Sequence, residues 1–517
     1  MIDIAYHIFM FLSIGFEHFF SKRGVYMDRS KFIFENEISQ KAYRKAVKNK
    51  AKFMRKYGDD ADKEFHLSCE PAPAIGDSLG VRNIQLSEKQ TFSFDEKSVI
   101  IGNIRMGFGH YRISMAMASA ARAMGYDPYW FDLHSFGDAA CGKIIAEQNR
   151  LYSMGSKLSQ SSVLFNKFVW EPLNSEGFRK LTYNSSDQKV AELMTSVYRD
   201  LPKDIPFIAT HVWPAQAAVH AGLTNVVNAI PDNWPMGLHL SEGAVHTAQT
   251  PSAYLGYRAL RGMDKRRQLK PMPKDAVVYT GHYIDHELVS NIESDCEKRI
   301  SRMRNSKPKR WLMSVGGAGA QRTLFLGIIK KLLPFIENGE ATLFINVGDH
   351  IKVWKELKAA IPQLSELAVE HFDDFSATVD FSNKVYSGDV SGIHVFCHND
   401  IFAAVYSTNL LMRASDVLIT KPSELAFYPI PKLMIKRVGG HEAWGAIRSA
   451  EVGDGTYECG TMLETSAMID LLQKNGDIIE QMCDHITTAK RAGIYDGAYR
   501  VIELAVKKQQ KSVFSGK

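Results

Sequence analysis

Three short stretches carry groups that handle anions, hydroxyls or protons, two of them beside glycines. The first is Gly107-Phe108-Gly109-His110-Tyr111-Arg112. Gly107 and Gly109 let backbone approach a ligand closely, and the run that follows to Met124 reads as a helix whose N-terminal amides can meet an anion. Arg112 falls in the first turn of that helix, where the dipole disfavours cations. A bound phosphate reverses that preference; an Arg112 turned sideways into solvent is the plainer alternative. The second stretch is Thr420-Lys421-Pro422-Ser423-Glu424. Proline suits a first helical position, and Glu424 either closes a capping box or accepts from a ribose diol, since a carboxylate takes two donors at once. The third, Gly439-Gly440-His441-Glu442, follows a strand and opens a helix. There His441 is either a solvated turn residue or a donor to a sugar hydroxyl or phosphate.

Other chemistries fit less well. Gly107-x-Gly109 followed by Arg112 lacks the third glycine of a dinucleotide fingerprint, although Asp132 ends the next strand where an NAD-type acid would sit. No GxxxxGK[ST], GxSxG or HExxH occurs. The six cysteines are scattered without a CxxC pair, which argues against a zinc site or a disulfide framework and fits a reducing compartment. A net charge of +6 over 517 residues is too small for a protein that coats nucleic acid.

The elements that must hold these stretches are strands and helices in alternation. Ser98-Val99-Ile100-Ile101, the first glycine loop, its helix and Pro128 to Leu133 form one βαβ unit. Downstream, Arg310 to Val315, the turn Gly316-Gly317-Ala318-Gly319, an apolar helix from Thr323 to Ile336 and Ala341 to Val347 repeat the pattern, again with a cation, Arg322, at the helix entrance. Two such units predict an α/β protein with two Rossmann-like, doubly wound domains. The expected division is an N-terminal helical and basic extension with a linker (1–95), a first domain (96–297), a second (298–485) and a terminal helix packing back on the first (486–517). Residues 138–200 read as mainly helical, interrupted near Pro172 and Asn184-Ser185-Ser186. Pro71 to Gly76 reads as a linker.

Two parts of the extension bear on membranes. The apolar run Ile8 to Phe16 is too short to span a bilayer and has no positive n-region; it is either a buried helix or a monotopic contact. The basic segment Lys41 to Lys56, with Tyr43, Val47 and Met54 on one helical face, is either solvated or laid against anionic lipid heads.

Taken together, these motifs resemble the GT-B glycosyltransferases, and among them monogalactosyldiacylglycerol synthases and the lipid-linked N-acetylglucosamine transferase of peptidoglycan synthesis. The resemblance rests on Gly107-Phe108-Gly109-His110, on Thr210-His211-Val212-Trp213-Pro214 and Ile230-Pro231-Asp232-Asn233-Trp234-Pro235, on Met313 to Gly319, and on Ser415 to Glu424 with Gly440-His441-Glu442. It covers roughly residues 98–510. It departs where Lys421-Pro422-Ser423 replaces a glycine pair and where His441 replaces glutamine.

The resemblance implies a cytoplasmic transferase, peripheral at the inner membrane face through its N-terminal extension. It would move sugar from a nucleotide-diphosphate sugar, such as a UDP-sugar, to a hydroxyl on a lipid or glycan acceptor, with no further cofactor and no metal. It places Glu424 on the donor ribose, the loop after Asn346-Val347-Gly348 on uracil, and Gly316, Gly317, Gly319, Arg322, Lys421, Ser423, Gly439, Gly440, His441 and Glu442 around the donor. His110 is the expected general base, since an imidazole titrates near pH ~6.5; Asp232 and His211 are rivals. A sugar-nucleotide 2-epimerase and a non-catalytic binder of sugar nucleotides are the alternatives.

Overall fold

The computed structural model describes residues 28–316 and 321–515. The run Ile8 to Phe16, together with Gly317 and Gly319, lies outside the described residues.

A short hairpin, β1 (Phe32–Ile33) and β2 (Asn36–Glu37), precedes the basic helix Gln40–Tyr57. Ser39 caps that helix by accepting from the Ala42 amide, and the buried face centres on Ala46. Tyr43 packs inward and its hydroxyl donates to Asp28 at 2.7 Å. Val47 and Met54, expected beside Tyr43, are exposed instead.

The first sheet contains β3 (His66–Pro71), β4 (Arg82–Ser87), β5 (Ser98–Asn103), β6 (Asp127–Asp132), β7 (Phe207–Ala209), β8 (Val226–Ala229), β9 (Val245–Ala248) and β10 (Val277–Tyr279). Their order across the sheet is β10-β9-β8-β7-β5-β6-β4-β3. Every neighbouring pair is parallel except β3 with β4. Pro71 to Gly76 is therefore a corner between two paired strands and not a free linker. Prolines at a strand end hid it, because they weaken a strand signal without abolishing an edge strand. β5 is wholly buried, as a β-branched run in a parallel sheet covered on both faces must be.

The second sheet contains β11 (Lys309–Ser314), β12 (Ala341–Asn346), β13 (Ala368–Phe372), β14 (Gly392–Cys397), β15 (Val417–Thr420) and β16 (Lys432–Met434). Its order is β13-β14-β12-β11-β15-β16, parallel throughout.

In the first sheet the chain switches sides between the neighbours β5 and β7, and in the second between the neighbours β11 and β15. Such a switch opens a crevice beyond the carboxyl ends of the two strands. The chain is thus an α/β protein of two Rossmann-like domains facing a cleft, the GT-B architecture.

The domains share a core. Helix Gly109–Ala123 is buried along nearly its whole length, from Tyr111 to Ala121 without a break. Its Tyr111 and Ile113, with Trp130, cluster with Phe402, Val405 and Tyr406 of the second domain's helix Ile401–Ala414. Trp130 and Phe402 meet edge to face with centroids 5.0 Å apart. Helix Gly497–Ser515 returns to the first domain, where Ala498, Val501 and Ile502 join Val99 and Ile101. Asn184 to Ser186 do not interrupt a helix; they lie within Leu181–Ala191 because Asn184 spends its amide on the carbonyls of Gly237 and Leu240. Among the described residues no helix is long and apolar enough to cross a membrane.

Candidate functional site

Both crevices open onto one cavity of about 170 Å³. From the first domain come Gly107, Gly109 and His110, on the loop and helix after β5, and Asp232, on the loop after β8. Gly107 has φ +73°, a conformation glycine adopts without strain. His110 Nδ1 lies 2.7 Å from the carbonyl oxygen of Thr210, at the end of β7. A carbonyl can only accept, so Nδ1 carries the proton and Nε2 keeps its lone pair for the cavity. Burial pushes the His110 imidazole below its ordinary pKa, which keeps it neutral.

Asp232 Oδ2 is 3.1 Å from His239 Nε2, and His239 Nδ1 is 2.7 Å from the Tyr257 hydroxyl. Burial alone would raise the Asp232 carboxyl. The bond from His239 and the nearby imidazoles of His441 and His110 outweigh it and hold the carboxyl well below the usual range. The site therefore offers a neutral imidazole beside a carboxylate that stays charged.

From the second domain come Gly316, after β11, and Lys421, Ser423 and Glu424, after β15. Lys421 crosses the switch point: its Cε would lie 3.4 Å from a Cβ built on Gly316. Lys421 pairs with Glu442, and although burial opposes its charge, Glu442 and Glu424 raise its pKa, so it stays cationic. Glu442 also accepts from the amides of Val438 (2.7 Å) and Gly439 (3.3 Å), which fixes the glycine turn. His441 lines the cavity and its Nδ1 is buried with no hydrogen-bond partner among the described residues. A Cβ on Gly439 would stand 2.6 Å from the His441 ring, so a side chain there would displace the imidazole.

The cavity is roofed by a segment of the first domain that the sequence did not disclose. Helix Ala140–Ser161 supplies Tyr152 and Ser156; two π-helical turns, Asn166–Trp170 and Leu173–Gly177, supply Trp170 and Asn174. Tyr152 and Trp170 rings are 5.6 Å apart, and the absence of a side chain at Gly155 makes room for Trp170. Glu171, beside Trp170, accepts from the Gly440 amide at 3.1 Å. π-helical turns carry no apolar period of their own, which is why only the break near Pro172 was visible.

Several expected residues stand elsewhere. Arg112 is buried and faces the second domain: it donates to Asn409 and to the Val405 carbonyl, and its Nε is 3.9 Å from Glu424 Oε1. It holds no open anion site; the helix turns Gly109, His110 and Ile113 to the cavity and Arg112 away. Arg322 is half exposed and pairs with Glu356 at 3.3 Å, while its neighbour Gln321 lines the cavity. Gln321 takes a left-handed backbone, φ +72°, which sets the helix start so that Arg322 points outward. Gly348 does not reach the cavity because the Phe108 ring lies against it and stacks on His350 at 5.6 Å. His211 lies behind His110, with ring centroids 4.8 Å apart, and accepts from the Trp213 amide. Asp132 accepts from the Tyr111 hydroxyl and from the His134 amide, so it cannot serve a cofactor ribose.

Two family models match the chain, each described as a domain of unknown function: one, DUF6937, over residues 32–259, the other, DUF6938, over 272–506. No curated protein matches it significantly. Among solved structures it is similar to the UDP-GlcNAc 2-epimerase of Neisseria meningitidis, at 12% identity and TM-score 0.40, with 79% of this chain and 100% of the other covered. It is also similar to an α,α-trehalose 6-phosphate synthase of Burkholderia multivorans, at 11% identity and TM-score 0.43, covering 81% and 99%. A glycosyltransferase of Rickettsia africae aligns at 12% identity and TM-score 0.37, covering 80% and 97%. Likenesses this distant do not decide between activities.

Proposed function

We propose that the protein is a glycosyltransferase that takes a sugar from a nucleotide-diphosphate sugar, of which a UDP-sugar fits best, and passes it to an acceptor hydroxyl. The observation that carries this reading is the meeting of His110 and Asp232 from one domain with Lys421 and the Gly439–Glu442 turn from the other around one cavity. The acceptor oxygen attacks the anomeric carbon and gives its proton to His110 Nε2. The bond from that carbon to the diphosphate oxygen breaks, and the leaving diphosphate takes the electron pair. Lys421 meets the charge that develops, and the Gly440 amide joins it once the diphosphate has displaced Glu171 from that N–H. In this reading Glu424 accepts from the donor ribose, and Asp232 keeps a negative charge near the forming cation at the anomeric carbon.

The cavity's 170 Å³ is less than the ~300–1,000 Å³ of small-molecule pockets, so in this reading the roof shifts to admit a whole sugar nucleotide. The test is incubation with labelled UDP-sugars and product analysis, beside binding of UDP followed by thermal shift. A new glycoside supports the transferase; an epimerised donor assigns a 2-epimerase instead; binding without turnover assigns a non-catalytic binder. Lys421→Ala should weaken UDP binding about tenfold or more while the chain still folds. Unchanged UDP binding in that variant removes Lys421 from the donor site.

A further inference from the structure

We propose that a second surface of the first domain docks onto an anionic lipid bilayer. It has two adjoining parts. One is a broad concavity beside the basic helix Gln40–Tyr57, lined by Lys41, Arg44, Lys45, Lys48 and Lys52. Lys180 and Arg266 close its far side, and no acidic residue lines it. All seven cations are exposed, and none has an ion-pair partner among the described residues, although neighbours on the same helix do: Lys50 pairs with Glu192 and Lys56 with Glu147. A solvated helix face normally intersperses both signs. Seven unpaired charges of one sign around a hollow create a field that draws an anionic surface.

The other part is the outer side of the roof. Leu164 and Phe168 are 70% and 67% exposed, and Met154, Val169 and Leu173 are exposed beside them. The roof segment runs on into the concavity, where Gly177, at the end of its second π-helical turn, is one of the lining residues. Lys167 folds over the Phe168 ring, with its ammonium 5.6 Å from the centroid.

A soluble polyanion would satisfy the lysines but would leave the apolar side chains in water. A neutral apolar partner would leave the lysines unpaired. A bilayer carrying anionic headgroups answers both at once: headgroups meet the cations while Leu164 and Phe168 enter the boundary with the acyl chains. The inner side of the same roof lines the cavity with Tyr152 and Trp170. Docking therefore brings the lipid surface to the lid of the site, whatever reaction that site performs. The inference does not depend on sugar transfer.

The test is sedimentation of the full chain with vesicles of phosphatidylcholine, with and without phosphatidylglycerol. Binding should need phosphatidylglycerol and should weaken with added salt. Replacing Lys45, Lys48 and Lys52 together with alanine should lower the partition coefficient by about two orders of magnitude, since each cation near such a surface contributes roughly fivefold. Replacing Leu164 and Phe168 with serine should lower it further at high salt, where only insertion remains. All five side chains are on the surface, so the thermal midpoint checks that the variants fold. Absence of vesicle binding overturns the proposal. So does vesicle binding that survives both sets of substitutions, which would place the contact in residues 1–27. So does salt-sensitive capture of soluble polyphosphate without binding to vesicles.

Discussion

Gly109 of the first domain and Glu424 of the second are in contact: a Cβ built on Gly109 would lie 3.2 Å from Glu424 Oε2. The loop after β5 and the loop after β15 therefore touch across the cleft, and the glycine sets how closely they do so. Gly109→Ala should displace the Glu424 carboxylate and weaken UDP binding about tenfold, with a stability cost of about 1–3 kcal/mol from crowding. Gly107 provides the contrast. Its φ is +73° but no described residue stands within 4 Å of a Cβ there, so Gly107→Ala should strain the backbone while leaving Glu424 in place. Calorimetric titration of both variants with UDP checks this, and equal affinities in the two would separate Glu424 from the nucleotide.

His110 should set the acid side of the pH profile. Its lowered pKa means the base form persists below pH ~6.5, so transfer should fall only as pH drops further, through the depressed pKa. His110→Ala should lose about 10²–10⁴ in kcat/KM and lose this limb with it. Rates at a series of pH values with a fixed donor measure both; an unchanged limb in the variant assigns it to another group.

Asp132 gives a stability test independent of activity. Burial pushes its carboxyl up to about 6, above the ~3.9 of an unfolded chain. A raised folded pKa contributes stability that is fully present below the unfolded value and is lost as pH rises through about 6. Asp132→Asn removes the charge: its one oxygen can still accept from the His134 amide, and its NH2 can donate to the Tyr111 oxygen. Urea unfolding should find it more stable than the parent above neutrality, by on the order of 2–3 kcal/mol, and the two should converge near pH ~4.

How much of this was legible in the sequence depended on range. The unit from β5 to β6 could be read because its signals are local: β-branched residues, a glycine loop and a helix in immediate succession. The same holds for Gly439 to Glu442, whose capping bond closes within four residues. The direction in which one helical residue points could not be read. A step of one position turns a side chain by ~100°, and only packing against the second domain decides that Ile113 faces the cavity while Arg112 faces Asn409. Arg322 failed for the same reason, one residue from Gln321. Phe108 over Gly348 and Glu171 on Gly440 join parts of the chain too distant for any pattern to connect.

Arg112 is a clasp between the domains, and its geometry is demanding. The guanidinium reaches Asn409 and the Val405 carbonyl from one end and faces Glu424 and the Tyr428 ring, 5.9 Å away, from its side. Lysine has the charge but not the planar fork, so Arg112→Lys should cost about 2–4 kcal/mol and leave Asn409 short of a donor. Scanning calorimetry should show a lowered midpoint, with the single transition broadening as the domains uncouple. An unaltered transition would mean that the remaining contacts, the apolar cluster around Phe402 among them, join the domains without Arg112.

Glu171 occupies a place where the donor's charge would be welcome. Its carboxylate accepts from the Gly440 amide at the start of a helical turn, and an anion is favoured there by both the free N–H and the dipole. A diphosphate arriving at that amide has to displace Glu171 and, with it, the roof that carries Trp170. Glu171→Gln removes the competing charge but keeps the side chain's length. UDP affinity should therefore rise severalfold, and the association rate should rise more than the dissociation rate falls, because the barrier removed is the closed roof. Stopped-flow binding of UDP to the two proteins distinguishes the cases. If Glu171→Gln binds more weakly than the parent, the carboxylate helps to build the donor site and does not block it.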